Sequence, residues 1–118
     1  MNDIDLLYHN EFGMAFHWKN TNSINIQKVQ LVFRDTGLLL NFSQLLLFQD
    51  KVKSALTNCT LCETCKSKLD SKPLLMETPF SELSFAVSYH ELHLASELLA
   101  GVLFQIEMNH VLKTQKIN

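Results

Sequence analysis

Three cysteines stand at equal intervals in Cys59-Thr60-Leu61-Cys62-Glu63-Thr64-Cys65. Two thiolates separated by two residues reach one tetrahedral zinc ion from a tight turn, and a third at the next interval fills three of its four positions. The fourth ligand is absent from the run, so His9, His17 or His110, or a second subunit, would have to supply it. An iron–sulfur cluster takes four cysteines, and the chain alone falls one short. Lys66, Lys68 and Lys72 follow closely; their charge would lower a thiol pKa and favour redox chemistry in place of metal binding. The plainest alternative is three thiols in a loop, with neither metal nor chemistry, because zinc sites usually draw on two separated pairs of ligands.

Other chemistry is harder to assemble. His90-Glu91-Leu92-His93 has the residue types of a zinc-protease helix, but that motif needs histidines four apart so that both rings face one metal. Here they are three apart, and Glu91 fits a capping role at a helix start. Asp3, Asp5 and Glu11 lie in an N-terminal stretch expected to fray, and form no evident acid/base pair. With three glycines in 118 residues there is no phosphate-cradling loop, and no nucleophile elbow is present. The expectation is a protein that is not an enzyme.

Composition narrows the remaining classes. Apolar residues make up 47% of the chain and charged ones 19%, as in a packed domain and unlike a disordered one. Ten basic against twelve acidic residues, a formal charge of −2, argue against nucleic acid, whose affinity comes mostly from counterion release by a clustered basic face. No apolar run is long enough to span a bilayer, and Met1-Asn2-Asp3-Ile4-Asp5 does not open a secretory signal. A cytoplasmic protein with reduced thiols is expected, without membrane or nucleic-acid partners.

The elements that must position these residues follow from periodicity. Residues 14–18 read as a strand, Asn20-Thr21-Asn22-Ser23 as a turn, and 24–33 as a second strand of period two. Asp35-Thr36-Gly37 predicts a tight turn in which Gly37 can take a positive φ at little cost, returning through 38–40 as the partner strand. Asn41 and Gln44 form a capping-box pattern ahead of a helix over about 42–58, with Leu45, Phe48, Val52, Ala55 and Leu56 on its inner stripe. After a Cys- and Lys-containing loop at 58–72, residues 73–78 and 83–87 read as two more strands. Ser88 and Glu91 form a second capping box, opening the longest helix, which ends near Lys113.

That last helix is apolar over more than half its circumference. Leu92, Ala95, Leu99, Val102, Leu103 and Ile106 would cover a sheet, whereas Leu94, Phe104, Met108 and Leu112, with Gly101, lie on roughly the opposite side. Such a second set calls either for covering elements or for a partner, most economically a second copy around a two-fold axis.

Three segments carry a resemblance. They are Asn10-Glu11-Phe12-Gly13-Met14-Ala15-Phe16; Val29-Gln30-Leu31-Val32-Phe33 with Gly37-Leu38-Leu39-Leu40-Asn41-Phe42; and Glu77-Thr78-Pro79-Phe80 through Leu83-Ser84-Phe85-Ala86-Val87-Ser88-Tyr89-His90-Glu91-Leu92. Together they resemble a small uncharacterised domain family found chiefly in Bacteroidetes-type bacteria. The resemblance implies this fold and a bacterial cytoplasm, with no activity to carry over. Family members often place a C-x-x-C pair before the second strand, a position that holds no cysteine here.

The reading is a single α+β domain over 1–118: an antiparallel sheet of about five strands, from two hairpin-helix units, with both helices on one face. Its expected core is Phe16, Trp18, Val29, Leu31, Phe33, Leu38, Leu40, Leu45, Phe48, Val52, Leu56, Leu75, Phe85, Val87, Leu92, Leu99, Val102, Leu103 and Ile106. The expected function is a non-enzymatic interaction or adaptor domain, homodimeric through Leu94, Phe104, Met108 and Leu112. The alternative is a small zinc-binding or thiol-redox protein centred on Cys59, Cys62 and Cys65.

Overall fold

A computed structural model describes residues 3–19, 28–59, 66 and 72–116, with 112–116 described through the backbone alone. Four strands come first: β1 (Ile4–His9), β2 (Gly13–Trp18), β3 (Val29–Phe33) and β4 (Thr36–Leu40). They pair antiparallel in chain order as one sheet, so β1 and β4 are its edges. Helix α1 (Phe42–Thr57) follows, then the hairpin β5 (Leu74–Glu77) and β6 (Ser84–Val87), and last helix α2 (Tyr89–Lys116).

The class is α+β, as expected, but the strands form two sheets of four and two in place of one sheet of about five. Two physical reasons account for the difference. The N-terminal stretch forms a strand because Leu7 and Tyr8 pack on the core, which outweighs the fraying expected of a chain terminus. The second hairpin, for its part, meets the first sheet through side chains: Phe85 stacks edge-on to Phe33 at 4.8 Å, and Arg34 donates to the Ala86 carbonyl at 2.6 Å.

The β3–β4 turn also differs from expectation. Thr36 and Gly37 already belong to β4, facing Phe33 and Val32. The two-residue loop is therefore Arg34-Asp35, and the positive φ falls on Arg34 at 53°, with no glycine in that region. The anchors that Arg34 makes to Ala86 and, at 3.1 Å, to Glu91 offset the cost of a left-handed conformation in a residue with a Cβ.

Both helices lie on the same side of the four-stranded sheet, α1 beneath β4 and α2 beneath β1 and β2, packed on each other. Between them and the sheet sits the core, with Val29, Leu31 and Leu40 meeting Leu45, Phe48 and Val52 of α1 and Leu92, Leu98, Leu99 and Val102 of α2. Leu56, Phe85 and Ile106 are partly buried at its margin. Trp18 and Leu75, expected inside, are 47% and 66% exposed. In β5 the inward position is Met76, flanked by Leu74, so an apolar Leu-Leu-Met run hid the phase of the strand. In β2 the small residues Gly13 and Ala15 face the helices and the large ones, Phe16 and Trp18, face away. A Cβ on Gly13 would lie 2.3 Å from the Val32 carbonyl oxygen, so only glycine fits there.

Candidate interaction surface

Helix α2 starts where the sequence places it. Ser88 Oγ accepts from Glu91 N–H and Glu91 Oε1 accepts from Ser88 N–H, both at 3.0 Å, the reciprocal pair of a capping box. Glu91 Oε1 also accepts from Lys72 at 2.8 Å and Arg34 at 3.1 Å. Burial alone would raise the Glu91 pKa; the hydrogen bonds from Lys72 and Ser88, with the Arg34 and Lys72 charges, outweigh it and hold the carboxyl below its ordinary value. His90 lies 4.0 Å from the Glu11 carboxylate, and the His93 ring packs edge-on to Tyr89 at 4.6 Å.

The buried stripe of α2 is Leu92, Ala95, Leu98, Leu99, Val102 and Leu103; Leu98 is the one member that periodicity did not single out. The second apolar set divides along the helix. Its first half is covered by the β1–β2 hairpin: Asn10 Nδ2 donates to the Leu94 carbonyl and to Glu97 Oε1, each at 2.9 Å. Tyr8 OH donates to Glu97 Oε2 at 3.4 Å. Leu94 is half-buried against the core, and Gly101 receives the face of the Tyr8 ring, whose carbons lie 2.5–2.6 Å from where a Cβ would stand. Covering elements thus account for Leu94 and Gly101.

The second half is open. Phe104 is 62% exposed, with Met108 and Val111 exposed at the next turns. A helix of 28 residues is about 42 Å long, against 28 and 26 Å for the shorter dimensions of the molecule, so its last turns outrun the elements that cover the rest. Phe42, exposed at the start of α1, shares with Ile106, Val111, Glu107 and His110 a hollow of about 330 Å³. The side chain of Leu112, the fourth member of the expected partner surface, lies outside the described residues.

A second apolar surface was not signalled by the periodicity of any one segment. Pairing register puts Ile4 and Leu6 of β1, Met14, Phe16 and Trp18 of β2, Gln30 and Val32 of β3, and Leu39 of β4 on the sheet face away from the helices. Leu6, Trp18 and Leu39 are exposed there. Phe16 is buried, but apart from the core cluster, with Trp18 edge-on at 5.0 Å. Trp18 Nε1 donates to Gln30 Oε1 at 3.1 Å. The signal available beforehand was the unusual large-outside, small-inside alternation of Gly13 to Trp18, legible only once the helix side is known.

Of the cysteine run, Cys59 is half-buried beyond the end of α1, and Cys62 and Cys65 lie outside the described residues. Among the described residues no group of three His, Cys, Asp or Glu side chains is placed to hold a metal ion. The histidines considered as a fourth ligand sit on separate elements: His9 ends β1, His17 is in β2 and donates from Nδ1 to the Lys28 carbonyl at 3.0 Å, and His110 is in α2. A polar hollow of about 380 Å³ between α1 and β5 holds Asp50, Ser54 and the Lys51–Glu77 ion pair, 3.3 Å long. Among the described residues no helix is long and apolar enough to cross a membrane. No family model, curated protein or solved structure matches the chain.

Proposed function

We propose that the chain is a small non-enzymatic interaction module of the cytoplasm that self-associates through the open end of α2. The observation that carries this reading is the overhang of α2, where Phe104, Met108 and Val111 stand exposed on successive turns and Val111 shares a hollow with Phe42. An isolated amphipathic helix end gains little stability from propensity alone; most of it comes from packing an apolar face. A second copy brings the same stripe from the opposite direction, so Phe104 and Met108 of each chain cover the other across a two-fold axis. Glu107 and His110 at the margin of the Phe42 hollow would form the polar rim usual for such a contact.

Phe104→Glu tests the reading, because it places a charge on the most exposed apolar residue of the stripe without touching the buried face of α2. The variant is expected to melt as the wild type does and to lose the mass contributed by a second chain. A folded variant of unchanged mass, or a wild type that is monomeric at high micromolar concentration, rules the surface out.

A further inference from the structure

We propose that the free edge of β4 is a second self-association site, at which two copies pair strand to strand around a two-fold axis through Leu38. The inference rests on the reading of the chain as a self-associating module, but uses the main-chain edge of the sheet in place of the side chains of the α2 overhang.

A two-residue loop closes on a pair that exchanges both main-chain hydrogen bonds, here Phe33 and Thr36. The pattern alternates along β4, so Thr36, Leu38 and Leu40 direct their N–H and C=O toward β3, and Gly37 and Leu39 direct theirs away from it. Among the described residues no donor or acceptor meets Gly37 or Leu39 on that side. Gly37 is exposed; as it has no side chain, its main chain is what solvent reaches.

The two edges of the sheet are unlike. On β1 the ladder slips between Leu6 and Tyr8, Asp5 pairs with Lys19 at 3.6 Å, and Lys19 N–H is bonded to the Asp3 carbonyl. A bulge and charges are what keep an edge strand from pairing with another chain. Thr36-Gly37-Leu38-Leu39-Leu40 has neither, nor a proline, and its ladder with β3 is regular.

A second copy is the occupant that fits. With Leu38 on the axis, Gly37 faces the partner's Leu39 and Leu39 the partner's Gly37. These are the two residues whose groups point outward, so four main-chain hydrogen bonds form with none left over. Both residues belong to the outer face, where Leu39 is 44% exposed; each leucine faces the other chain's glycine, next to the Gln30 amide that lies 3.0 Å from where a Cβ on Gly37 would stand. Like charges never meet, because β4 carries no ionisable side chain. The pairing would join two outer apolar faces into one eight-stranded sheet.

Leu39→Pro removes one outward N–H per chain while sparing the ladder to β3, the position at which an edge strand tolerates proline. Leu39→Lys keeps the backbone and sets a charge over the partner's Gly37, and serves if the proline variant fails to melt cooperatively. Native mass spectrometry of wild type, each Leu39 variant and Phe104→Glu separates the surfaces in units of the 13.6 kDa chain. If both act, wild type contains four chains or more and each single variant contains two. A dimer dissolved by the Leu39 variants and not by Phe104→Glu upholds β4 pairing and removes the helix reading. A dimer dissolved only by Phe104→Glu, folded Leu39 variants of wild-type mass, or a monomeric wild type overturns β4 pairing.

Discussion

Replacing Gly101 by alanine decides whether the first half of α2's second apolar set is covered from within the chain. A Cβ built on Gly101 would lie 2.5–2.6 Å from three carbons of the Tyr8 ring, against about 3.5–4.0 Å for unstrained carbon contact. The ring would have to retreat by roughly 1 Å. Two terms of opposite sign then compete. Alanine is the better helix former by about 1 kcal/mol, whereas overpacking costs about 1–3 kcal/mol. A displaced Tyr8 would also strain its bond to Glu97, about 0.5–1.5 kcal/mol when lost. Net destabilisation of about 1–2 kcal/mol is expected, a fall in Tm of roughly 4–8 °C in a chain of this size. With Tyr8→Ala already made, the ring is gone, only the propensity term remains, and Gly101→Ala should stabilise by about 1 kcal/mol. Thermal and urea unfolding followed by far-ultraviolet circular dichroism on the four proteins of the cycle measure this reversal of sign. Additive effects, with Gly101→Ala stabilising in both backgrounds, would refute the docking of β1 on α2.

Two further outcomes follow from single sites. Glu91 has a folded pKa below its ordinary value of 4.5, so the unfolded chain takes up the proton more readily; its stabilising contribution is present above the ordinary value and is lost as pH falls through the depressed folded one. Glu91→Gln should therefore flatten the acid limb of a Tm-against-pH profile; an acid limb as steep as that of the wild type would show that this carboxylate is not the linked group. For the cysteine run, the zinc alternative predicts one metal per chain after chelator-free purification, lost in Cys62→Ser; elemental analysis showing no zinc in the wild type would leave the cysteines without that role.

Much of the fold is legible in particular residues. Asn41 with Gln44 and Ser88 with Glu91 mark both helix starts, because a capping box needs only local geometry: each pair makes its two reciprocal bonds, at 2.8 Å and 3.0 Å respectively. Strand existence is also legible where apolar residues alternate, as at Val29, Leu31 and Phe33, all buried. Strand phase is not. Whether Ala15 or Phe16 faces the helices depends on how closely α2 approaches β2, a tertiary quantity, and the same holds for Leu75 against Met76. β1 eluded the reading because its anchors, Tyr8 on Gly101 and Asn10 on Leu94 and Glu97, lie more than 80 positions away in sequence. For the candidate surface, the excess apolar character of α2 was visible as a pattern. Its division into a covered half at Leu94 and Gly101 and an open half at Phe104 and Met108 required the position of the β1–β2 hairpin.

Sedimentation equilibrium of the wild type and Phe104→Glu, across a range reaching high micromolar concentration and with their melting curves in hand, bears most directly on the claim that this is a self-associating module. The wild-type mass is expected to rise with concentration to at least two chains, and the variant to keep its Tm with a mass half as large at the same concentrations. Equal masses for the two proteins, or a wild type that stays at 13.6 kDa throughout, would contradict it.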